Sequence, residues 1–519
     1  IGNGAATATL TYNGSGDTTD RVINLAGTSG GAVLDMSGTN TLTFSGNFTA
    51  TGVGAKTLTL QGSTSGSALI TGQIVDSTAG ATSLTKTGSG TWTLSGANTY
   101  SGDTTLVAGT LTLDNKLAIQ NSALNCSGGT LAFSPSVTTP TFGGLSGSTG
   151  FSLPTTVTGL TLNVGAGLTK TYAGTLGSDG TGITLTKSGA GVQILGSTTF
   201  AGSTAVNAGK LYLNGASGTS AIAVAANATL GGTGSAAAAT ATIASGGLVE
   251  AGARGQGMLT LGSLAFTNTG SIAVTDIGNY AASPAIRVLN SDGLTTGGGP
   301  GSVTFALRGT APAGGTVHLL DYAGSIAGTG FGAFGLDTSG LTAGPRALFT
   351  LTDNPGYVGL TFSVDKPVWT GAGGGAWVTS PSLTVAPPAN WTLASNAATP
   401  TNFIAGDAAL FDDTAAATTV TISAADVSPV SVTFNNTYRD YVLQGGYGIS
   451  GGTGLTKAGY GRLIVTNDNT YTGGTTINGS VVQVGDGGTT GALGTGPIAN
   501  GGLLEFNRSD TIAMAGEHD

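Results

Sequence analysis

The acidic residues of this sequence come closest together at Asp407, Asp412 and Asp413. Two carboxylates that face one sugar ring can hydrolyse a glycosidic bond, and a cluster of carboxylates can hold Ca²⁺. The nonapeptide G-G-x-G-x-D that binds Ca²⁺ in series is absent as a series. We interpret the three residues as a solvated turn where a module begins, with structural Ca²⁺ as the alternative, and assign no catalytic residue, metal ligand or cofactor.

The other residue types that could carry chemistry are few and isolated. His318 lies in a strand-like run and His518 beside the last residue, so they do not suggest a histidine metal site. Gly330–Gly335 formally matches G-x-G-x-x-G, but the helix that a dinucleotide site requires does not follow. Cys126 is the single cysteine, which excludes a disulfide within the chain, and we interpret it as a small buried residue.

Two further groups could bind a ligand. The run Asn467-Asp468-Asn469 could hold a cation, although Asn and Asp are also the expected residues of a turn. Trp369, Trp377 and Trp391 could bind a glycan if they were exposed, but we favour buried anchors at a module junction.

The elements that position these residues are repeats. Three segments, 84–113, 185–213 and 455–484, have nearly the same sequence and begin with LTKTGSG, LTKSGAG and LTKAGYG. Each alternates polar and apolar residues and is punctuated by Gly, which is the pattern of short half-buried strands joined by turns. A motif that recurs in this way predicts a stacked repeat architecture.

Composition limits the classes of partner. The chain has 519 residues, of which 93 are Gly and 8% are charged, and its net charge is −9. No basic patch is visible, which argues against nucleic acid as a partner. No apolar run approaches the roughly 20 residues of a membrane helix, so we predict no membrane-spanning segment in this chain.

A change in the sequence pattern near residue 366 suggests two domains. We predict a first β-helical module over residues 1–365 and a second, incomplete one over 366–519, with a Trp-containing junction near 366–413. The alanine-rich stretch Ser235–Ala244 is the one that could be taken for a helix. Because Gly flanks it and β-branched residues interrupt it, we predict strand and turn there.

The repeats resemble the autotransporter-associated β-strand repeat of large bacterial surface proteins. The second copy departs in having Phe200 for Tyr and Thr198 for Asn, and the third has Ser480 for a late Gly. The resemblance implies an all-β, right-handed parallel β-helix (a solenoid) and an extracellular location at a bacterial cell surface. The structural repeat positions that carry it are Lys86, Gly88, Gly90, Tyr100 and Gly102, then Lys187, Gly189, Gly191, Phe200 and Gly202, then Lys457, Gly459, Gly461, Tyr471 and Gly473.

Stacking follows from the residues as well, because one strand pair cannot bury its apolar face alone. With roughly 20 to 25 residues per coil, we expect on the order of 20 to 25 coils, spaced by about 4.8 Å. Tyr100, Phe200 and Tyr471 should occupy equivalent buried positions, and the Phe suggests that the hydroxyl is dispensable or solvated.

We therefore predict a structural, non-enzymatic extracellular rod or fibre with an adhesive role. Its partners would be copies of itself, end to end or side by side, and cell-surface or matrix glycans. The terminal segments show no amphipathic helix that would cap a solenoid, which favours the fibre. The alternatives are a β-helical polysaccharide-degrading enzyme, marked by grouped carboxylates with a basic partner, and a strict glycan-binding adhesin, marked by exposed aromatic residues.

Overall fold

The chain folds into two compact units in the computed structural model. One comprises Ile1–Ala343 with Phe349–Phe362, and the other comprises Gly344–Leu348 with Ser363–Asp519. The structure describes residues 1–63, 66–180, 182–252, 257–280, 283–312 and 314–511, so His518 lies outside the described residues. The boundary predicted at 365/366 lies three residues beyond Phe362, and the short segment 344–348 belongs to the second unit.

The described residues form a parallel β-solenoid of about 21 turns with 1% helix, which confirms the predicted all-β class. Its handedness stays a prediction. Helical structure among the described residues is limited to the 3-10 turns Ile277–Tyr280 and Gly330–Ala333. No helix in those described ranges is long and apolar enough to span a membrane.

The first unit is built mainly from two columns of stacked strands. In the longer column Leu58 pairs with Leu84 and Leu84 with Thr104, so successive turns take 26 and 20 residues. Its strands are Ala8–Tyr12, Ala32–Met36, Lys56–Gly62, Thr82–Lys86, Thr104–Leu106, Ile119–Cys126, Thr141–Ser146, Gly159–Asn163, Thr184–Ser188, Ser203–Val206, Ala221–Val224, Ser235–Ile243, Leu259–Phe266, Ile286–Ser291, Leu294–Thr296, Gly315–Ala323, Ile326–Gly328, Ala347–Asn354 and Tyr357–Val364.

The second column forms the opposite wall and is divided into separate sheets. The first sheet contains Asp17–Thr19, Asn40–Phe44, Gly66–Ile70, Thr91–Leu94, Thr110–Leu113 and Thr130–Phe133. A later sheet contains Thr169–Tyr172, Val192–Leu195, Lys210–Leu213, Thr229–Gly232, Gly247–Ala251, Gly270–Val274, Val303–Thr310 and Phe334–Thr342. Two short pairs, Ile23–Asn24 with Phe48–Thr49 and Phe151–Leu153 with Leu176–Ser178, complete the turns.

Alternation of residue types determines which face of each strand is buried. In Thr91–Leu94 the apolar Trp92 and Leu94 point inward and are at most 1% exposed. Trp92 pairs with Leu111 on the next turn, so equivalent side chains stack into one continuous core. Burial of each such side chain contributes about 1.5–3 kcal/mol, which explains why the register is kept from turn to turn.

The alanine-rich stretch forms the strand Ser235–Ile243, as predicted. Its buried Ala236, Ala239 and Ala241 pack in the interior, where small side chains leave room for the neighbouring turn. The prediction holds because tertiary pairing, here with Leu259–Phe266, overrides the helix propensity of alanine.

Parallel stacking is interrupted by antiparallel pairs that the sequence did not reveal. Gly315–Ala323 pairs antiparallel with Tyr357–Val364, and Pro367–Trp369 pairs antiparallel with Trp391–Leu393. A parallel pair needs a long crossover connection, whereas short loops permit a reversal of direction. Only Pro355 and Gly356 join Ala347–Asn354 to Tyr357–Val364, so Tyr357–Val364 reverses direction relative to the strand before it.

The second unit repeats the two-column plan around its own core. One column contains Pro367–Trp369, Trp391–Leu393, Asn396–Thr401, Ala408–Asp412, Ser431–Asn435, Gly454–Ala458, Thr475–Ile477 and Ile498–Asn500. The other contains Thr419–Thr421, Tyr441–Gln444, Arg462–Val465, Val481–Val484 and Leu503–Phe506.

Candidate functional site of the repeat

Each repeat stacks its first half on its second half. In the first copy Leu84 pairs with Thr104 and Trp92 with Leu111, so one copy spans parts of two successive turns. The third copy does the same, since Leu455 pairs with Thr475. This self-stacking brings the motif side chains against the backbone of a neighbouring turn.

The repeat lysine is a buried cation whose partners are backbone carbonyls. Lys86 is fully buried, and its Nζ donates to the carbonyl oxygens of Thr87, Gly88 and Ala108 at 2.6, 3.0 and 3.0 Å. Ala108 belongs to the following turn, so the ammonium joins two turns of the solenoid. Three donors meet three acceptors, which satisfies the group away from water.

The second copy repeats the full arrangement, and the third repeats its two local contacts. Lys187 Nζ donates to the carbonyls of Ser188, Gly189 and Ala208 at 2.6, 2.7 and 3.1 Å. Lys457 Nζ donates to Ala458 at 2.6 Å and to Gly459 at 3.2 Å. Sequence reasoning marked these lysines as motif positions but missed their burial.

Burial of the ammonium groups lowers their pKa. The pKa of Lys86 and of Lys187 falls to about 8 because desolvation disfavours the charged form. Desolvation also lowers the pKa of Lys457 to about 8, although the nearby carboxylates of Asp440 and Asp413 oppose the shift. Such groups are partly neutral at mildly alkaline pH.

The first glycine of each motif is required by the backbone of the turn. Gly88, Gly189 and Gly459 have φ of +63°, +69° and +75°, where a side chain is strained. A Cβ on Gly189 would also lie 2.3 Å from the carbonyl oxygen of Val164 on the preceding turn. The carbonyl of this glycine position is one of the lysine acceptors, so the turn and the cation depend on each other.

The remaining motif glycines allow close approach between turns. A Cβ added to any of them would lie within 2.5 Å of a backbone oxygen of the preceding turn, which no ordinary side chain tolerates. They are Gly90, Gly191, Gly461, Gly102, Gly202 and Gly473.

The motif asparagine bridges three turns. Asn98 Oδ1 accepts the N–H of Ile74 at 2.8 Å, and its Nδ2 donates to the carbonyl of Ala118 at 2.8 Å. Asn469 makes the matching bonds to Ile449 and Ala492, both at 2.8 Å. Thr198 takes this position in the second copy and instead bonds Ser217 through its hydroxyl at 2.8 Å.

The aromatic position is buried in all three copies, at 0% exposure for Tyr100, 2% for Phe200 and 0% for Tyr471. The Tyr100 hydroxyl is 2.7 Å from Thr104 Oγ1, and the Tyr471 hydroxyl is 2.7 Å from Thr475 Oγ1. The expectation that this hydroxyl is solvated is therefore wrong, because it is bonded inside the core.

The three acidic residues do not form a site together. Asp407 is buried and paired with Arg346, whose Nε and Nη2 lie 2.9 and 2.8 Å from the two carboxylate oxygens. The solvated turn predicted for Asp407 is thus wrong. Arg346 was missed because it lies 61 residues away in the sequence.

Asp412 and Asp413 hold turns of the second unit. Asp412 accepts the N–H of Thr414 at 2.9 Å. Asp413 accepts the N–H groups of Thr437, Tyr438 and Arg439 at 2.8, 3.0 and 3.2 Å. Burial raises the pKa of Asp413, but these donors and the Arg439 charge outweigh burial and leave the pKa below its usual value.

The run 467–469 also serves the backbone. Asn467 Nδ2 donates to the carbonyl of Tyr447 at 2.9 Å, and Asp468 Oδ1 accepts the N–H of Gly491 at 3.0 Å. Within the residues that the structure describes, no group of three or more His, Cys, Asp or Glu side chains could hold a metal ion.

The tryptophans form the core of the second unit. Trp369, Trp377 and Trp391 are at most 3% exposed, and the Trp391 ring contacts the other two edge to face. Their rings are closed to a glycan, so the exposed-tryptophan alternative is wrong.

The isolated residues take ordinary places. His318 is partly exposed, stacks on Tyr357 with ring centroids 3.7 Å apart, and has its Nδ1 3.3 Å from Asp321 Oδ1. Cys126 is buried, and burial raises the pKa of its thiol to about 11. Gly330–Ala333 forms a 3-10 turn followed by a strand, which is unlike a dinucleotide site.

The motif side chains thus bind between successive parallel turns. Residues 84–113, 185–213 and 455–484 match the family described as "Passenger-associated-transport-repeat". The chain therefore carries three passenger repeats of the autotransporter type.

A relative is similar over part of the chain. The chain is 38% identical over 118 residues to the adhesin BmaC autotransporter of Brucella suis biovar 1 (strain 1330). The match covers 22% of this chain and 3% of that protein. The repeats and this relative indicate an extracellular protein at the cell surface.

Proposed function

We propose that this chain is a structural and adhesive segment of a bacterial surface protein, a solenoid rod that presents a binding surface. One observation carries the structural part: the lysine, asparagine and glycine that define the repeat all act between successive turns. A motif used in this way maintains a stack. The adhesive part is supported by the passenger repeats and by similarity to an autotransporter adhesin.

Attachment of coated beads tests the adhesive role. Beads carrying the full chain at controlled density are washed over cultured epithelial cells and over matrix-coated surfaces. We expect more attached beads than with an unrelated β-solenoid coupled at the same density. Equal attachment of the two bead types would refute adhesion by this chain.

We further propose that the chain does not act on polysaccharides. The acidic residues that could have done so are engaged, Asp407 with Arg346 and Asp413 with three backbone N–H groups. Screening against neutral and acidic glycans should show no turnover. Turnover that disappears in Asp412→Asn or Asp413→Asn would instead identify an enzyme.

We propose that the chain also assembles into a fibre. Turns already stack through parallel strand pairing, and side-chain ladders such as Thr41 to Ser67, at 2.8 Å, run along the stack. The same pairing between copies, or side-by-side contact, would produce filaments. Sedimentation velocity should then show larger species as the chain concentration rises, and one species of constant mass would contradict self-assembly.

A further inference from the structure

Two tyrosines of the second unit are almost fully exposed on successive turns. Tyr438 is 90% exposed and Tyr460 is 83% exposed. Each lies in the loop that joins the two strand columns, and the loops stack because Asn435 pairs with Ala458 and Val442 with Ile464. We call these two loops, residues 436–440 and 459–461, the exposed corner.

The repeat fold does not require an aromatic residue at this corner. The residue equivalent to Tyr460 is Ser89 in the first copy and Ala190 in the second, while the flanking glycines are the same. Exposed aromatic surface contributes little to stability but is typical of binding anchors. Tyr460 is therefore an addition to the scaffold.

The loops that carry the rings are held in place before any partner binds. Asp413 accepts the N–H groups of Thr437, Tyr438 and Arg439, and Asp440 Oδ1 accepts the N–H of Arg462 at 2.7 Å. A rigid backbone lowers the entropy lost on binding. The corner presents two aromatic rings on an ordered loop pair.

The surroundings favour a glycan over a protein. A stable protein interface buries about 800 Å² on each partner around an apolar centre. Beside the two rings, the exposed positions of the corner are the charged residues Arg439 and Asp440. A narrow, polar edge with two rings suits a slender, hydroxyl-rich chain, since a tyrosine offers both an apolar face and a hydroxyl.

The charges at the corner and the spacing of the turns further restrict the class of glycan. Both arginines of the corner are already engaged, Arg462 by Glu505 at 3.0 Å and Arg439 by the Ala415 carbonyl and the neighbouring Asp413 charge. The exposed Asp440 adds a carboxylate, which disfavours an acidic glycan. Successive turns are about 4.8 Å apart, so a linear chain laid along the turns can contact both loops. We propose that Tyr438 and Tyr460 form a binding site for a neutral polysaccharide, which rests on the adhesive function proposed above.

The test measures binding of the full chain to immobilised neutral hexose and N-acetylhexosamine oligosaccharides, with sulfated oligosaccharides alongside. Tyr460→Ser copies the first repeat, so it should fold, and Tyr438→Ser is its partner variant; thermal melting checks both. We expect binding to at least one neutral series, weakened roughly tenfold or more by each substitution. Tyr447→Ser, at a 46% exposed tyrosine in a loop after Tyr441–Gln444, is the matched control and should bind as the parent chain does.

The proposal is overturned if no neutral series binds, if only sulfated oligosaccharides bind, or if the double variant Tyr438→Ser, Tyr460→Ser binds as tightly as the parent chain. It is also overturned if the double variant loses attachment only to protein-coated surfaces, because the corner then serves a protein partner. The bead assay separates this inference from the adhesive function. If beads attach equally well with and without the two tyrosines, the adhesive function is supported and binding at the exposed corner is refuted.

Discussion

At the scale of single residues, the aromatic position provides a natural comparison of Tyr with Phe. The Tyr100 hydroxyl is 2.7 Å from Thr104, which is in turn 2.7 Å from Ser122 Oγ. In the second copy, with Phe200, the equivalent Thr204 donates to Thr219 at 3.1 Å. The threonine thus keeps a partner on the next turn whether or not the tyrosine hydroxyl is present.

We predict a small effect for loss of the hydroxyl and a large one for loss of the ring. Tyr100→Phe should lower the free energy of unfolding by about 1 kcal/mol, because Thr104 stays bonded. Phe200→Ala should lower it by about 3–5 kcal/mol, because a cavity replaces a buried ring. Urea unfolding followed by circular dichroism measures both. Equal losses in the two variants would contradict this assignment.

Residue-level properties were the least predictable from sequence. Lysine is almost never fully buried, so the LTK motif alone does not indicate that this lysine lies in the core. Its burial becomes evident only when the Ala108 carbonyl, 22 residues later, arrives on the next turn. The Arg346–Asp407 pair is hidden for the same reason, whereas Tyr460 between two glycines, where other copies have Ser89 and Ala190, gave a signal that could have been used.

At the scale of the turn, the fold itself was largely predictable. Period-2 alternation and regularly placed glycines are local properties, and they specified strands, turns and stacking. The antiparallel pair between Gly315–Ala323 and Tyr357–Val364 was not predictable. Parallel strands of this fold, such as Thr91–Leu94, bury one face and therefore alternate as antiparallel strands do.

Close approach between turns predicts different outcomes for two glycine substitutions. In Gly202→Ala the new Cβ would lie 1.8 Å from the carbonyl oxygen of Ile183, so turns must separate. We expect a loss of roughly 1–3 kcal/mol or more. In the matched control Gly299→Ala nothing lies within 4 Å, and stability should be unchanged or rise by about 0.4–1 kcal/mol. The melting temperatures of the two variants test this prediction. A similar loss of stability in both would argue against a packing role for Gly202.

The bridging asparagine makes a second prediction at this scale. Asn98→Ala leaves the Ile74 N–H and the Ala118 carbonyl buried without their partner, and each unsatisfied group costs about 1–3 kcal/mol. Hydrogen exchange should accelerate at Ile74 on the preceding turn. A uniform change along the chain, with no local maximum there, would show that the bridge has no special role.

At the scale of the whole molecule, the buried lysines and tyrosines together set how stability depends on pH. An unfolded lysine has a pKa of about 10.4, whereas burial lowers the pKa of Lys86, Lys187 and Lys457 to about 8. Between these values the unfolded chain binds more protons than the folded one, so stability rises with pH. The slope is at most roughly 1.4 kcal/mol per pH unit for each lysine.

Buried tyrosines have the opposite effect at higher pH. Burial raises the pKa of Tyr172 and Tyr280 to about 12 and that of Tyr100 further, whereas an unfolded tyrosine ionises near 10. Above about pH 10 the unfolded chain therefore holds fewer protons, and stability falls. Urea midpoints should rise from pH 8 to about pH 10 and then decline.

The triple variant Lys86→Met, Lys187→Met and Lys457→Met isolates the first limb of this profile. Methionine keeps the apolar stem and removes the titrating group, so the rise between pH 8 and 10 should disappear while the decline above pH 10 remains. The variant should also be less stable at neutral pH, because the carbonyls that accept from the three ammonium groups lose their donors. If the rise in urea midpoint between pH 8 and 10 persists in the variant, groups other than the three lysines cause it. If the urea midpoint of the parent chain does not change over this range, the lysines keep their ordinary pKa because the carbonyls stabilise the charge fully.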